Sequence, residues 1–172
     1  MRLVVAAVLL SFAGPALAQH HHEHSAYAGL DARDIKALSE QRLADLQAGR
    51  GMGLALSAEL NGYPGPLHVL ELAEGLQLSP DQKHRIHNLY EAMKSEAIAA
   101  GAKLIAAERA LDRLFAAGSI TPGSLASLTQ EIGARQGELR AVHLPYHLTT
   151  AAVLTPEQRR RYAELRGYRS AR

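Results

Sequence analysis

Apolar residues fall seven apart along the middle of this chain, at Ile86, Met93, Ala100, Ala107 and Leu114, with Tyr90, Ala97, Leu104 and Leu111 as a second series. Such a seam predicts one long helix beginning at Pro80, with a continuous apolar stripe for a partner helix. After Gly118 and Thr121-Pro122, the residues Leu125, Ile132, Leu139 and Tyr146 carry a seam onward, while its companion series, Leu128, Arg135 and Val142, is interrupted by Arg135. Two long helices joined by so short a connection pack antiparallel, so the pattern predicts a helical hairpin. Its ends are punctuated. Leu78-Ser79-Pro80-Asp81-Gln82 supplies a capping serine, a proline suited to the first helical position and a glutamine where a capping box needs it. Leu154-Thr155-Pro156-Glu157-Gln158 repeats that signature ahead of a short last helix ending near Arg166, and Ile120-Thr121-Pro122 is a partial copy with Ser124 in place of the glutamine.

Upstream the pattern is looser. Leu30, Ile35, Leu38, Leu43 and Leu46 predict a first helix from about Leu30 to Gln47, ended by Gly49. Gly51-Met52-Gly53 leads into a second short helix, Leu54 to Leu60, closed by Asn61-Gly62. Tyr63-Pro64-Gly65-Pro66 then forces an extended turn before helix resumes over His68–Leu76. At the start, Arg2, the apolar stretch Leu3 to Phe12 and the small-x-small Ala16-Leu17-Ala18 read as a cleavable signal peptide over residues 1–18, cut after Ala18 and directing the chain to the periplasm. That stretch is too short for a stable span, which takes roughly 20 apolar residues. The expected organisation is a disordered His-rich arm over 19–29, a single all-helical domain over 30–168 and a flexible C-terminus over 169–172.

Composition narrows the function. The formal net charge of +2 makes no electrostatic case for nucleic acid or for an anionic membrane surface. The absence of cysteine removes disulfides, thiolate metal sites and thiol catalysis. Gly51-Met52-Gly53 lacks the strand and long helix of a phosphate-cradling loop, no strand-turn-helix elbow presents a nucleophilic serine, and no organic cofactor is implied. The basic C-terminal run, Arg159-Arg160-Arg161 with Arg166, Arg169 and Arg172, fits a solvated last helix with favourable charge at its end.

Two Leu-Ser/Thr-Pro-Asp/Glu-Gln motifs separated by a helical hairpin, on a cysteine-free chain with an export signal, resemble the Spy/CpxP family of periplasmic LTxxQ proteins and its metal-linked relatives ZraP and CnrX. The resemblance runs by motif from Leu78 to Arg166, with Ser79 standing where the first copy would have threonine. It implies an all-α, hairpin-based protomer that forms a homodimer with a concave surface and has no enzymatic activity. It further implies a role in envelope stress or heavy-metal response, as a metal binder, as an ATP-independent chaperone for unfolded periplasmic clients, or as an accessory to the periplasmic domain of a membrane sensor.

Histidine is the resource such a role would draw on. His20, His21, His22 and His24, beside Glu23, form a dense imidazole cluster just behind the expected cleavage point, a ligand set for Cu, Zn or Ni with little geometric selectivity. His143 and His147 are four apart and share one helix face, beside the seam residues Val142 and Tyr146. Folding the hairpin about residues 118–121 sets His147 level with residue 92 and His143 level with residue 96, so Glu91 and Glu96 become the expected facing carboxylates, with His87 a turn beyond. Pro145 lies between the two histidines, where it is expected to kink the helix and so splay them or free the carbonyl of Ala141. The metal-sensing relatives often carry a methionine donor four residues beyond a histidine; His147 occupies that place here. His84 lies near His87, His68 reads as a helix-start residue, and the glycine-flanked Met52 and the 61–66 segment read as structural corners.

Overall fold

The computed structural model describes residues 25–168. It divides into two units, one ending at Asp31 and the other beginning at Ala32. In the first, residues 25–29 form turns that lead into a 3-10 turn at Leu30–Ala32. The second unit holds α1 (Glu40–Gln47), α2 (Leu56–Glu59), α3 (Pro66–Glu71), α4 (Pro80–Ala116), α5 (Pro122–Val153) and α6 (Pro156–Leu165). The described residues are all-helical. The signal peptide over 1–18, the histidine arm and the C-terminal 169–172 lie outside them.

The expected long first helix is replaced by a turn and a short helix. Residues 33–38 form bends and turns, and α1 starts only after Ser39, whose side chain caps the Arg42 amide. Long-range partners on α4 claim this stretch: Asp34 pairs with Arg109 at 2.9 Å and the Lys36 amide donates to Asp112 at 3.2 Å. Helix over 33–38 would forfeit those contacts and the burial of Ile35. α3 begins at Pro66, earlier than the sequence suggests, because Gly65 is extended and Pro66 suits the first turn.

The hairpin forms as its heptads require, with α4 and α5 packed along each other. Ile86, Met93, Ala97, Ala100, Leu104 and Ala107 are buried on α4. On α5 the buried stripe runs Ile132, Leu139, His143, His147 and Thr150, so past Leu139 the helix turns the two histidines inward and leaves Tyr146 only half-buried. α5 stays one helix through Pro145. The core has two clusters. One joins α1, the middle of α4 and α5 through Leu46, Ala97, Ala100, Leu104 and Leu139. The other joins α3, the start of α4 and α6 through Val69, Ile86, Leu154 and Tyr162.

The paired motifs meet. Ser79 and Thr155 each close a capping box with Gln82 and Gln158. The two glutamine amides then bond each other reciprocally: Gln82 Nε2 donates to Gln158 Oε1 at 2.8 Å, and Gln158 Nε2 returns a bond to Gln82 Oε1 at 3.1 Å. Their remaining hydrogens reach the carbonyls of Val153 (3.0 Å) and Leu76 (3.3 Å). Each amide is therefore fully used, and losing one strands the other. Gln82→Ala is expected to cost about 1–2 kcal/mol in urea unfolding. A double-mutant cycle with Gln158→Ala is expected to show strong coupling, and additive single losses would disprove the reciprocal pairing.

Candidate metal centre

The site falls between the two core clusters, where Met93 lies between Ile86 and Ala97 on α4 and the histidines lie between Leu139 and Leu154 on α5. The corner segments over residues 51–56 and 65–68 form the other walls of a half-open cavity of roughly 200 Å³ beside them.

Glu59, at the end of α2, organises the floor. It is 5% exposed, yet its carboxylate accepts from the Gly65 amide at 2.9 Å, from the Tyr162 hydroxyl and from the Tyr168 hydroxyl at 3.2 Å. His68 Nδ1 lies 3.3 Å from the same group. Burial pushes the Glu59 carboxyl up, but the His68 ring, the Tyr162 hydroxyl and the Gly65 amide together outweigh it and bring it to about 2. Burial and the Glu59 charge in turn push the Tyr162 hydroxyl well above the ordinary tyrosine range. The result is a buried anion held by three structural donors.

His147 Nδ1 stands 2.7 Å from the Tyr63 carbonyl and 3.6 Å from Glu59 Oε2. A carbonyl can only accept, so Nδ1 carries the hydrogen, and in the uncharged ring the lone pair is on Nε2. Gly65 makes the room: a Cβ there would come within 2.9 Å of His147 Cε1 and 3.1 Å of Nε2. His143 is 1% exposed, and its Nδ1 is 2.9 Å from the Leu139 carbonyl, which fixes the same tautomer. Its Nε2 is buried with no hydrogen-bond partner. Two imidazoles four residues apart thus stand at one cavity, each with its outer nitrogen held by a backbone carbonyl and its Nε2 lone pair free. This is the second-sphere arrangement that prepares histidine for a metal.

The facing carboxylates expected from the hairpin register are elsewhere. Tyr146 donates to Glu96 at 2.8 Å and Lys103 pairs with Glu138 at 2.6 Å, a register that sets the histidines a little further along α4 than folding about the turn gives. Glu91, Glu96 and His87 are exposed and do not converge with His143 and His147, whose inward face meets α2 and α3 instead. His84 is likewise exposed, bonded to Asn88 at 3.2 Å. His20, His21, His22 and His24 lie outside the described residues. Among the described residues no group of three or more His, Asp or Glu side chains is arranged to hold an ion. What the cavity offers as it stands is the histidine pair, with Met52 and Met93 in the wall. Glu59, His68 and the two methionines escaped the sequence reading, which placed His68 at a helix start and Met52 at a corner.

The heavy-metal resistance family matches residues 64–161, a stretch that runs from the α3 corner to α6 and includes His68, Met93, His143 and His147. The chain belongs to this helical, non-enzymatic family, which includes the Spy/CpxP-like LTxxQ proteins. No curated protein and no solved structure matches it.

Proposed function

We propose that this protein binds transition-metal ions during a heavy-metal or envelope-stress response in the periplasm, holding one ion at His143 and His147 and collecting others on the His20–His24 arm. The observation that carries it is the buried, unpartnered Nε2 of His143. A polar atom left without a partner at 1% exposure is destabilising unless something occupies it, and the lone pair of a fixed neutral imidazole is a metal ligand. The donor set fits: His147 presents an equivalent nitrogen at the same cavity, and the backbone carbonyls of Leu139 and Tyr63 orient both rings. A bound ion would supply charge that ties α5 to the corner segments; the chain's part is to hold two nitrogens ready and to exclude bulk water with α2 and α3. An exported, cysteine-free chain meets the same ions without thiols that would oxidise.

Calorimetric titration of the full chain against Cu, Zn and Ni tests it, beside a His143→Gln/His147→Gln variant and a variant lacking residues 20–24. At least one metal is expected to bind with a Kd of micromolar or below, to lose about 100-fold or more in affinity in the double variant, and to survive deletion of the arm. Binding no tighter than about millimolar, or binding indifferent to both histidines, disproves the buried site.

A further inference from the structure

Resting on that reading, we infer that the cavity beside His143 and His147 takes a soft monovalent cation, Cu(I) or Ag(I), and that the thioethers of Met52 and Met93 serve beside the two imidazoles.

Charge is the first argument. In the uncharged rings His143 and His147 present lone-pair nitrogens, and the carboxylate on the floor already accepts from Gly65, Tyr162 and Tyr168. Carboxylate ligands favour divalent ions, and the one carboxylate lining this cavity is already engaged by three structural donors. A monovalent ion loses less hydration and needs no such ligand.

Donor softness is the second. The chain contains three methionines and no cysteine, and Met52 and Met93 both line this cavity. Thioether sulfur is a weak ligand for Zn or Ni and a good one for Cu(I).

The third argument is conformational and independent of the other two. Met52 lies in the left-handed region at φ 45°, between Gly51 and Gly53. Glycine or asparagine occupies such a conformation with less strain, yet this chain places a methionine there, with its side chain in the cavity wall. Met93 lines the same cavity from α4, at a heptad position.

The test is anaerobic competition for Cu(I) against a chromophoric chelator, with parallel titrations of Ag(I), Zn(II) and Ni(II), on the full chain and on two variants. In the full chain, the component abolished by His143→Gln/His147→Gln is expected to favour Cu(I) and Ag(I) over Zn(II) and Ni(II) by at least 100-fold. Met52→Leu/Met93→Leu conserves volume, and is expected to weaken Cu(I) and Ag(I) by 10-fold or more while leaving Zn(II) within about twofold. Copper X-ray absorption of the unmodified chain supplies a readout that does not depend on the variant folding: sulfur scattering beside nitrogen is expected. A histidine-dependent site that prefers Zn(II) or Ni(II), or a copper spectrum without sulfur, overturns the soft-ion assignment and leaves metal binding intact. If no metal depends on His143 and His147, both fall.

Discussion

Glu59→Ala is expected to lower the stability of the folded chain by about 3 kcal/mol, a loss readable in urea or thermal unfolding. The carboxylate draws together a short helix, a glycine-proline corner and the last helix, through the Gly65 amide and the Tyr162 and Tyr168 hydroxyls. Truncation strands all of these donors in a buried site, where each unsatisfied group costs about 1–3 kcal/mol before relaxation and water recover part of it. The acid limb of the stability profile reports the same interaction. Glu59 titrates near 2 when folded and near 4.5 when unfolded, so its stabilisation is complete above the unfolded value and drains away as pH falls from about 4.5 to about 2. Glu59→Gln keeps the shape and removes this titration, so its stability is expected to fall less steeply across that window than the parent chain's. The remaining slope comes from Asp34, Asp45, Glu138 and Glu157, whose carboxyls are also held low. A parent chain equally stable at pH 5 and pH 2.5 would show that Glu59 is not held as an anion.

Gly101→Ala is expected to cost about 2–3 kcal/mol and to lower the melting temperature by roughly 5–10 °C. A Cβ at position 101 would sit 2.7 Å from the Leu46 carbonyl oxygen and 3.3 Å from its carbon. Both are backbone atoms at the end of α1, so neither can swing aside, and α1 must lift from α4 together with the fully buried Leu46. Gly133 is the internal control. It too lies in a long helix, but a Cβ there meets nothing within 4 Å, so Gly133→Ala is expected to raise stability by up to about 1 kcal/mol through helix propensity. Equal effects of the two substitutions would show that close approach to Leu46 is not what position 101 requires.

The difference between these glycines is invisible in the sequence, and it typifies what could be read there. α4, α5 and α6 were legible because their signals are local: a Ser or Thr cap, a proline one residue on and, for α4, heptads long enough to fix the buried stripe, whereas on α5 the seam residues Leu125 and Tyr146 stay exposed or half-buried. The start of α1 was not, because Asp34 and Lys36 answer to Arg109 and Asp112, 75 and 76 residues away. The pairing of His143 with His147 was legible as one-turn spacing. Their surroundings were misjudged because hairpin register speaks only of α4, whereas the inward face of α5 meets a Gly/Pro-rich corner that carries no periodicity. One signal did lie in that corner. Glu59 sits among Leu56, Leu60 and the Asn61-Gly62-Tyr63-Pro64-Gly65-Pro66 run, an acidic residue in an otherwise uncharged stretch where backbone amides come close enough to bind it.

The Gln82–Gln158 pair joins two helix starts 76 residues apart in the folded chain, by hydrogen bonds where a disulfide would use a covalent link. An amide clasp is indifferent to redox conditions. It can be neither reduced nor oxidised under conditions that convert a thiol to a disulfide. A chain without cysteine keeps its two motif glutamines clasped whatever the redox conditions.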